Sequence, residues 1–200
     1  MRVARRLDAN LTERPVDPSA LVSAIATAES NLANARKKVE TCPDHSTTIA
    51  ILARELTRTG TLLGLQRRLP IAEKLLLEAI GLWQSQNNTK ALIMGHLKVS
   101  VVLRYDARLE AASAHIQTAI ELAGCSPDLA VYVPFLMIER GLIHFNSGEL
   151  NKALSDLKNA ELNFSSKAAR PPKALKHYID TVSRASALSQ KRTRDPESTT

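Results

Sequence analysis

The feature that most constrains this chain is a recurrence at about 40 residues. Three segments share one pattern, Gly60 to Ala79, Ser100 to Ala119 and Gly141 to Ala160. In each, a small residue (Gly60, Ser100 or Gly141) is followed twelve positions later by an alanine (Ala72, Ala112 or Ala153). Four further on comes an aliphatic residue (Leu76, Ile116 or Leu157), and three beyond that a second alanine (Ala79, Ala119 or Ala160). Steps of four and three lie along one helix face. The whole motif returns after 40 and 41 residues, a period that belongs to stacked helical units. A helical hairpin buries one seam, and its backbones approach only where side chains are small. Gly or Ser on a first helix facing Ala on a second meets that need, with Leu69, Leu109 and Leu150 filling the seam near the turn.

The same periodicity predicts helices near 18–40, 46–66, 69–86, 89–105, 109–123, 128–146, 150–164 and 172–189. Turn signals fall between them. Asn146-Ser147-Gly148 separates the third pair, and Pro70 suits the first turn of the helix it opens. Pro134 either starts its helix or kinks it. Helix 18–40 carries Ala28, Leu32 and Ala35 at second-helix spacing, an orphan half-repeat. Helix 172–189 follows Pro171-Pro172 and places Leu175, Tyr178, Ile179 and Val182 on one face, as a terminal cap would. Residues 1–17 and 190–200 read as loosely held tails. The expected domain is a single one over 18–189.

These repeats resemble the tetratricopeptide repeat family over roughly residues 46–164. The third repeat carries the resemblance best, with Gly141, the run Asn146 to Leu154, then Leu157 and Ala160. The first departs from the pattern at Thr59 and Arg67, and the usual Tyr is missing. The period exceeds the family's commonest length of about 34 residues, so the chain is similar to the variant with extended helices. The resemblance implies an all-α fold of about eight helices, a right-handed superhelical stack of antiparallel hairpins. It also implies a scaffold that binds proteins through a concave groove, with no enzymatic activity and no cofactor.

Composition agrees with helices. Aromatic residues are 4% of the chain and there are 7 glycines, too few of both for a sandwich or barrel. The chain carries 27 Lys and Arg against 20 Asp and Glu, a net charge of +7. That excess favours acidic partners, nucleic acid or anionic surfaces. It is spread along the chain, with no block of five basic residues. No apolar stretch approaches the roughly 18 residues of a membrane span. Cys42 and Cys125 lie far apart in no metal or redox spacing, which is read as reduced thiols in a cytoplasmic protein.

No phosphate loop, dinucleotide fingerprint, HExxH or CxxC occurs, so nothing points to catalysis or a metal. The five histidines never fall at i, i+4 on one helix; His96 and His144 take first-helix seam positions and read as packed histidines. Trp83 ends an apolar face and reads as packing.

What the resemblance singles out is the set of first-helix residues outside the seam. Carried over by position, these include Arg54, Arg58 and Thr61 in the first repeat and Lys98, Arg104 and Tyr105 in the second. In the third they include Phe135, Leu142, Phe145 and Asn146, with Glu139 beside them. Basic groups gather at one end of the implied groove and apolar ones at the other. Arg54 and Arg58 are i, i+4 neighbours of like charge, which costs a helix a few tenths of a kcal/mol. An acidic guest would reverse that sign; a solvated basic face is the alternative. Two functions remain open. One is an adaptor, chaperone or regulatory subunit binding a protein or peptide, an acidic one where the basic end of the groove engages it. The other is a nucleic-acid-binding helical repeat, although aromatic residues do not interleave the basic ones as base stacking requires.

Overall fold

A computed structural model describes residues 17–43, 45–166 and 170–194. Among them the chain forms eight α-helices, one 3-10 turn and no strand. The helices are α1 (Pro18–Thr41), α2 (Ser46–Leu65), α3 (Leu69–Ser85), α4 (Thr89–Tyr105), α5 (Leu109–Gly124), α6 (Val133–Asn146), α7 (Leu150–Ser166) and α8 (Lys173–Arg194). They divide into two compact units, one ending at Tyr132 and the other beginning at Val133. The sequence led us to expect one domain.

In the first unit each helix packs on the next, α1 on α2 through to α4 on α5, and α2 also touches α4. The repeated small residues make this possible. A Cβ on Gly60 would lie 2.9 Å from Leu76 Cγ and 3.1 Å from the Ala72 carbonyl oxygen. Gly60 thus faces the alanine and the leucine that the repeat pattern pairs with it. Ser100, the equivalent residue one period on, is fully buried. Ala72, Leu76, Ala112, Ile116 and Ala119 form the facing wall, each 1% exposed or less. The half-repeat α1 joins through Ala28, Leu32 and Ala35, all buried. Thr59 donates its hydroxyl hydrogen to the Ala28 carbonyl at 3.3 Å.

The turns repeat as strictly as the seams. Arg67, Asn87, Ala107 and Gly148 all adopt positive φ, between 50° and 77°. In each case the next residue donates its N–H to the carbonyl five positions back: Arg68 to Leu63, Asn88 to Trp83, Arg108 to Leu103 and Glu149 to His144, at 2.8–3.1 Å. This left-handed C-cap satisfies carbonyls that a helix end leaves open. Only one of the four sites is Gly, which is why Asn146-Ser147-Gly148 was the turn most legible in the sequence.

The second unit stacks α6 on α7 and α7 on α8. Gly141 repeats the Gly60 contact, its Cβ position 3.0 Å from Leu157 Cγ and 3.2 Å from the Ala153 carbonyl. Phe135 and Phe164 meet edge to face at 5.0 Å between ring centroids. Leu175 and Val182 bury the apolar face of α8.

Three expected boundaries change. The helix expected over 128–146 begins only at Val133, preceded by the 3-10 turn Pro127–Leu129. Pro134 therefore stands in the first turn, where its missing N–H costs nothing, and no kink is needed. Helix α8 continues to Arg194 instead of ending at 189, so part of the expected 190–200 tail is helical. Of the expected tail over 1–17, residues 1–16 lie outside the described residues, as do 195–200, while Asp17 caps α1 by accepting from the Ser19 N–H. No described helix is long and apolar enough to cross a membrane.

Candidate interaction face of the first unit

Once the seams have taken their residues, α2 and α4 keep a partly open strip each. On α2 it runs through Arg54, Thr57, Arg58 and Thr61, and on α4 it includes Lys98 and Tyr105. The two threonines organise it. Thr57 Oγ1 donates to the Ala53 carbonyl at 2.7 Å, and Thr61 Oγ1 to the Thr57 carbonyl at 2.6 Å. Threonine in a helix commonly bonds back one turn in this way. With its hydrogen committed, each hydroxyl turns lone pairs outward. Trp83 Nε1 donates to Thr57 Oγ1 at 3.4 Å, and Lys98 Nζ donates to Thr61 Oγ1 at 3.0 Å.

Lys98 is the unusual member. It reaches from α4 to α2, and no carboxylate among the described residues pairs with it. Burial pushes its pKa down to about 8. Part of the residue is still open to solvent, so it is enclosed without being sealed. An ammonium taken from water without a counter-ion disfavours its own charge.

Arg54 and Arg58 are exposed. Arg54 Nε lies 3.5 Å from Glu55 Oε1, and Arg58 forms no ion pair with a described residue. The other Glu55 oxygen is buried without a hydrogen-bond partner. Tyr105 is stacked by two guanidiniums, Arg67 at 3.9 Å and Arg104 at 4.8 Å from the ring centroid. Such contacts hold a cation over the negative ring face. The sequence reading placed Arg104 and Tyr105 on an open wall. They instead belong to a stack that also takes in the turn residue Arg67.

The apolar end expected from the third repeat does not stand open. Phe135 is 3% exposed and Leu142 is 8% exposed, so both are core residues. Phe135 is spent on Phe164, since a ring of that size contributes most when fully covered. Glu139 is fully buried and is no surface charge facing a guest. Phe145 is half-buried, and only Asn146 is exposed. On the first unit Arg54 and Arg58 are thus open to solvent, whereas on the second Phe135 and Leu142 are not.

The histidines also found partners that spacing along one helix could not reveal. His96 on α4 and His115 on α5 place their Nδ1 atoms 2.9 Å apart. One ring must donate and the other accept, so the pair carries a single hydrogen between them. Burial, and then the neighbouring His115, lower the His96 pKa. Burial lowers that of His115, with Glu73 opposing and Arg108 assisting. His144 meets Glu149 at 2.5 Å, and its Nε2 lies 3.7 Å from Asp156. Asp156 binds Arg140 with two hydrogen bonds, at 2.6 and 2.7 Å. Arg140, His144 and Asp156 line an open cavity of about 460 Å³, with Asn151, Lys152 and Ser155. Lys152 is held by Glu149 at 2.6 Å, so the cavity's charges are matched internally. Among the described residues no three His, Cys, Asp or Glu side chains are grouped to hold a metal. Cys42 and Cys125 are exposed and unpaired.

Periodicity could have flagged two of these partnerships. Thr61 and Lys98 lie 37 residues apart, and Arg67 and Tyr105 lie 38 apart, each close to one repeat. Residues separated by about one period sit on neighbouring first helices or at their ends. No family model, curated protein or solved structure matches the chain.

Proposed function

We propose that this chain is a tetratricopeptide-type protein-interaction module whose α2–α4 face receives an acidic peptide segment. The observation that carries the reading is the charge left over on that face. Arg58 stands exposed with no ion pair to a described residue, Arg54 one turn before it has only Glu55 at 3.5 Å, and Lys98 joins α4 to the same strip with no described acid to neutralise it. Elsewhere the helices match their charges, Arg36 with Glu78, Arg108 with Glu73 and Arg140 with Asp156. A face that keeps cations where its neighbours pair them is suited to a guest that brings carboxylates. The consecutive hairpins and the close glycine seams support the tetratricopeptide part of the reading. An adaptor or regulatory role follows from binding without chemistry.

The test is calorimetry with a hexaglutamate peptide, comparing the wild type with the double variant Arg54→Glu, Arg58→Glu. Hydrogen bonds to charged groups are worth about 1.5–3 kcal/mol, so the variant should lose binding on that scale. Both positions are exposed, and surface changes shift stability by about 0.5 kcal/mol or less. Unchanged affinity with an unchanged melting temperature would assign these arginines to solvent. A single-stranded oligonucleotide that binds more tightly, with a steep logarithmic salt slope, would move the assignment to nucleic acid.

A further inference from the structure

We infer that Lys98 is the anchor of this face, the ammonium that takes one carboxylate of the bound segment on N–H bonds that the described residues leave unfilled. The inference rests on the acidic-peptide reading and names the residue and the chemical group that set its specificity.

An ammonium has three N–H donors. Lys98 spends one on Thr61 Oγ1 at 3.0 Å. That oxygen has already given its own hydrogen to the Thr57 carbonyl, so it can only accept. No described residue receives the other two donors. No described carboxylate on the helices packed against α4, including Glu110 and Glu121 of α5, pairs with Lys98. On α2, Glu55 lies beside Arg54. On α3, Glu73 holds Arg108 and Glu78 holds Arg36. On α5, His115 is paired with His96. Among the described residues the enclosed ammonium therefore has no counter-ion, and burial without one leaves its pKa lowered to about 8. A carboxylate arriving at Nζ supplies what is missing and raises that pKa again.

The register fits more than one acid. Along α2, Arg58 precedes Thr61 by three residues and Arg54 precedes it by seven, about 4.5 and 10.5 Å of helix rise. A peptide in the extended polyproline II conformation advances about 3.1 Å per residue and brings every third side chain to the same face. Its carboxylate at Lys98 and another about three residues away thus reach the two ends of the strip. Arg54 and Arg58, being exposed, add attraction that salt screens. Lys98 adds a contact that salt screens much less.

The difference is measurable because, of the three cations Arg54, Arg58 and Lys98 on this face, only Lys98 loses its proton between pH 7 and pH 9. Hexaglutamate keeps its charge above pH 7, and arginine stays protonated. For a free pKa of about 8, binding that needs the proton weakens about tenfold between pH 7 and pH 9. Calorimetry at both pH values, in wild type, Lys98→Arg and Lys98→Met, tests this. The wild type should show the tenfold fall. Lys98→Arg should bind at pH 7 and show no such fall, because its charge does not titrate. Lys98→Met should bind weakly at both pH values while melting no lower than wild type, since it removes an uncompensated buried charge. Equal wild-type affinity at pH 7 and 9, or a pH dependence that persists in Lys98→Met, would overturn the inference. If hexaglutamate fails to bind at pH 7, the acidic-peptide reading falls. Lys98 is then judged by NMR of its side-chain Cε during acetate titration. A pKa raised by acetate keeps the carboxylate anchor, and an unmoved one removes it.

Discussion

Replacing Gly60 and Gly81 by alanine, one at a time, should move stability in opposite directions although both lie inside helices of the same unit. At Gly81 on α3 an added Cβ meets nothing within 4 Å, and the position is exposed. There alanine brings only its better helix propensity, about 0.8–1.0 kcal/mol over glycine. At Gly60 on α2 the same methyl would sit 2.9 Å from Leu76 Cγ and 3.1 Å from the Ala72 carbonyl oxygen. Leu76 and Ala72 are fully buried, and one of the two contacts is backbone, so neither yields without moving α3. Overpacking of this kind costs about 1–3 kcal/mol. Setting the propensity gain against it leaves Gly60→Ala destabilised by about 1 kcal/mol. The two variants should therefore differ by about 2 kcal/mol, or about 4–8 °C in Tm for a chain of this size. Urea denaturation followed by circular dichroism, with unchanged m-values, is the assay. If Gly60→Ala proves as stable as Gly81→Ala, the helices do not approach as closely as the repeated small residues imply, and the seam argument fails.

Two further outcomes follow from the turns and the histidine pair. Ala107 holds φ at 57°, a conformation that costs a residue with a Cβ roughly 1–2 kcal/mol. Ala107→Gly should thus stabilise the protein by about 0.5–1 kcal/mol after the glycine's extra unfolded-state entropy, while Arg67→Gly should gain less because it gives up the Tyr105 stack. A lower urea midpoint for Ala107→Gly would refute this. His96 and His115 both have folded pKa values below the ordinary value of about 6.5. The unfolded chain then binds more protons in acid, so the pair's contribution is present above that value and is lost as pH falls through the lowered pKa values. Urea midpoints measured from pH 8 to pH 5 should fall more steeply in wild type than in His115→Gln; parallel curves would remove the pair as the cause.

The repeat period, the helical class and the identity of the seam residues were legible in the sequence alone. They depend on local rules, namely which positions share a helix face and where a backbone needs a small neighbour. Gly60, Ala72 and Leu76 announce one another by spacing, and Gly141, Ala153 and Leu157 do so again. Boundaries were less legible wherever the signal was not local. Ala107 and Arg67 carry no turn signature, and their left-handed caps exist because the hairpin requires them there. Whether a side chain outside the seam stays open is also decided at a distance. Phe135 and Leu142 occupy positions equivalent to open ones on earlier helices, yet tertiary packing buries them, because burial depends on every element nearby and not on register within one helix. Lys98 shows the same division from the other side. Its place on α4 follows from periodicity, while its enclosure away from every described carboxylate, and the weakened hold on a proton that burial brings, arise only when Thr61 is brought against it from another helix.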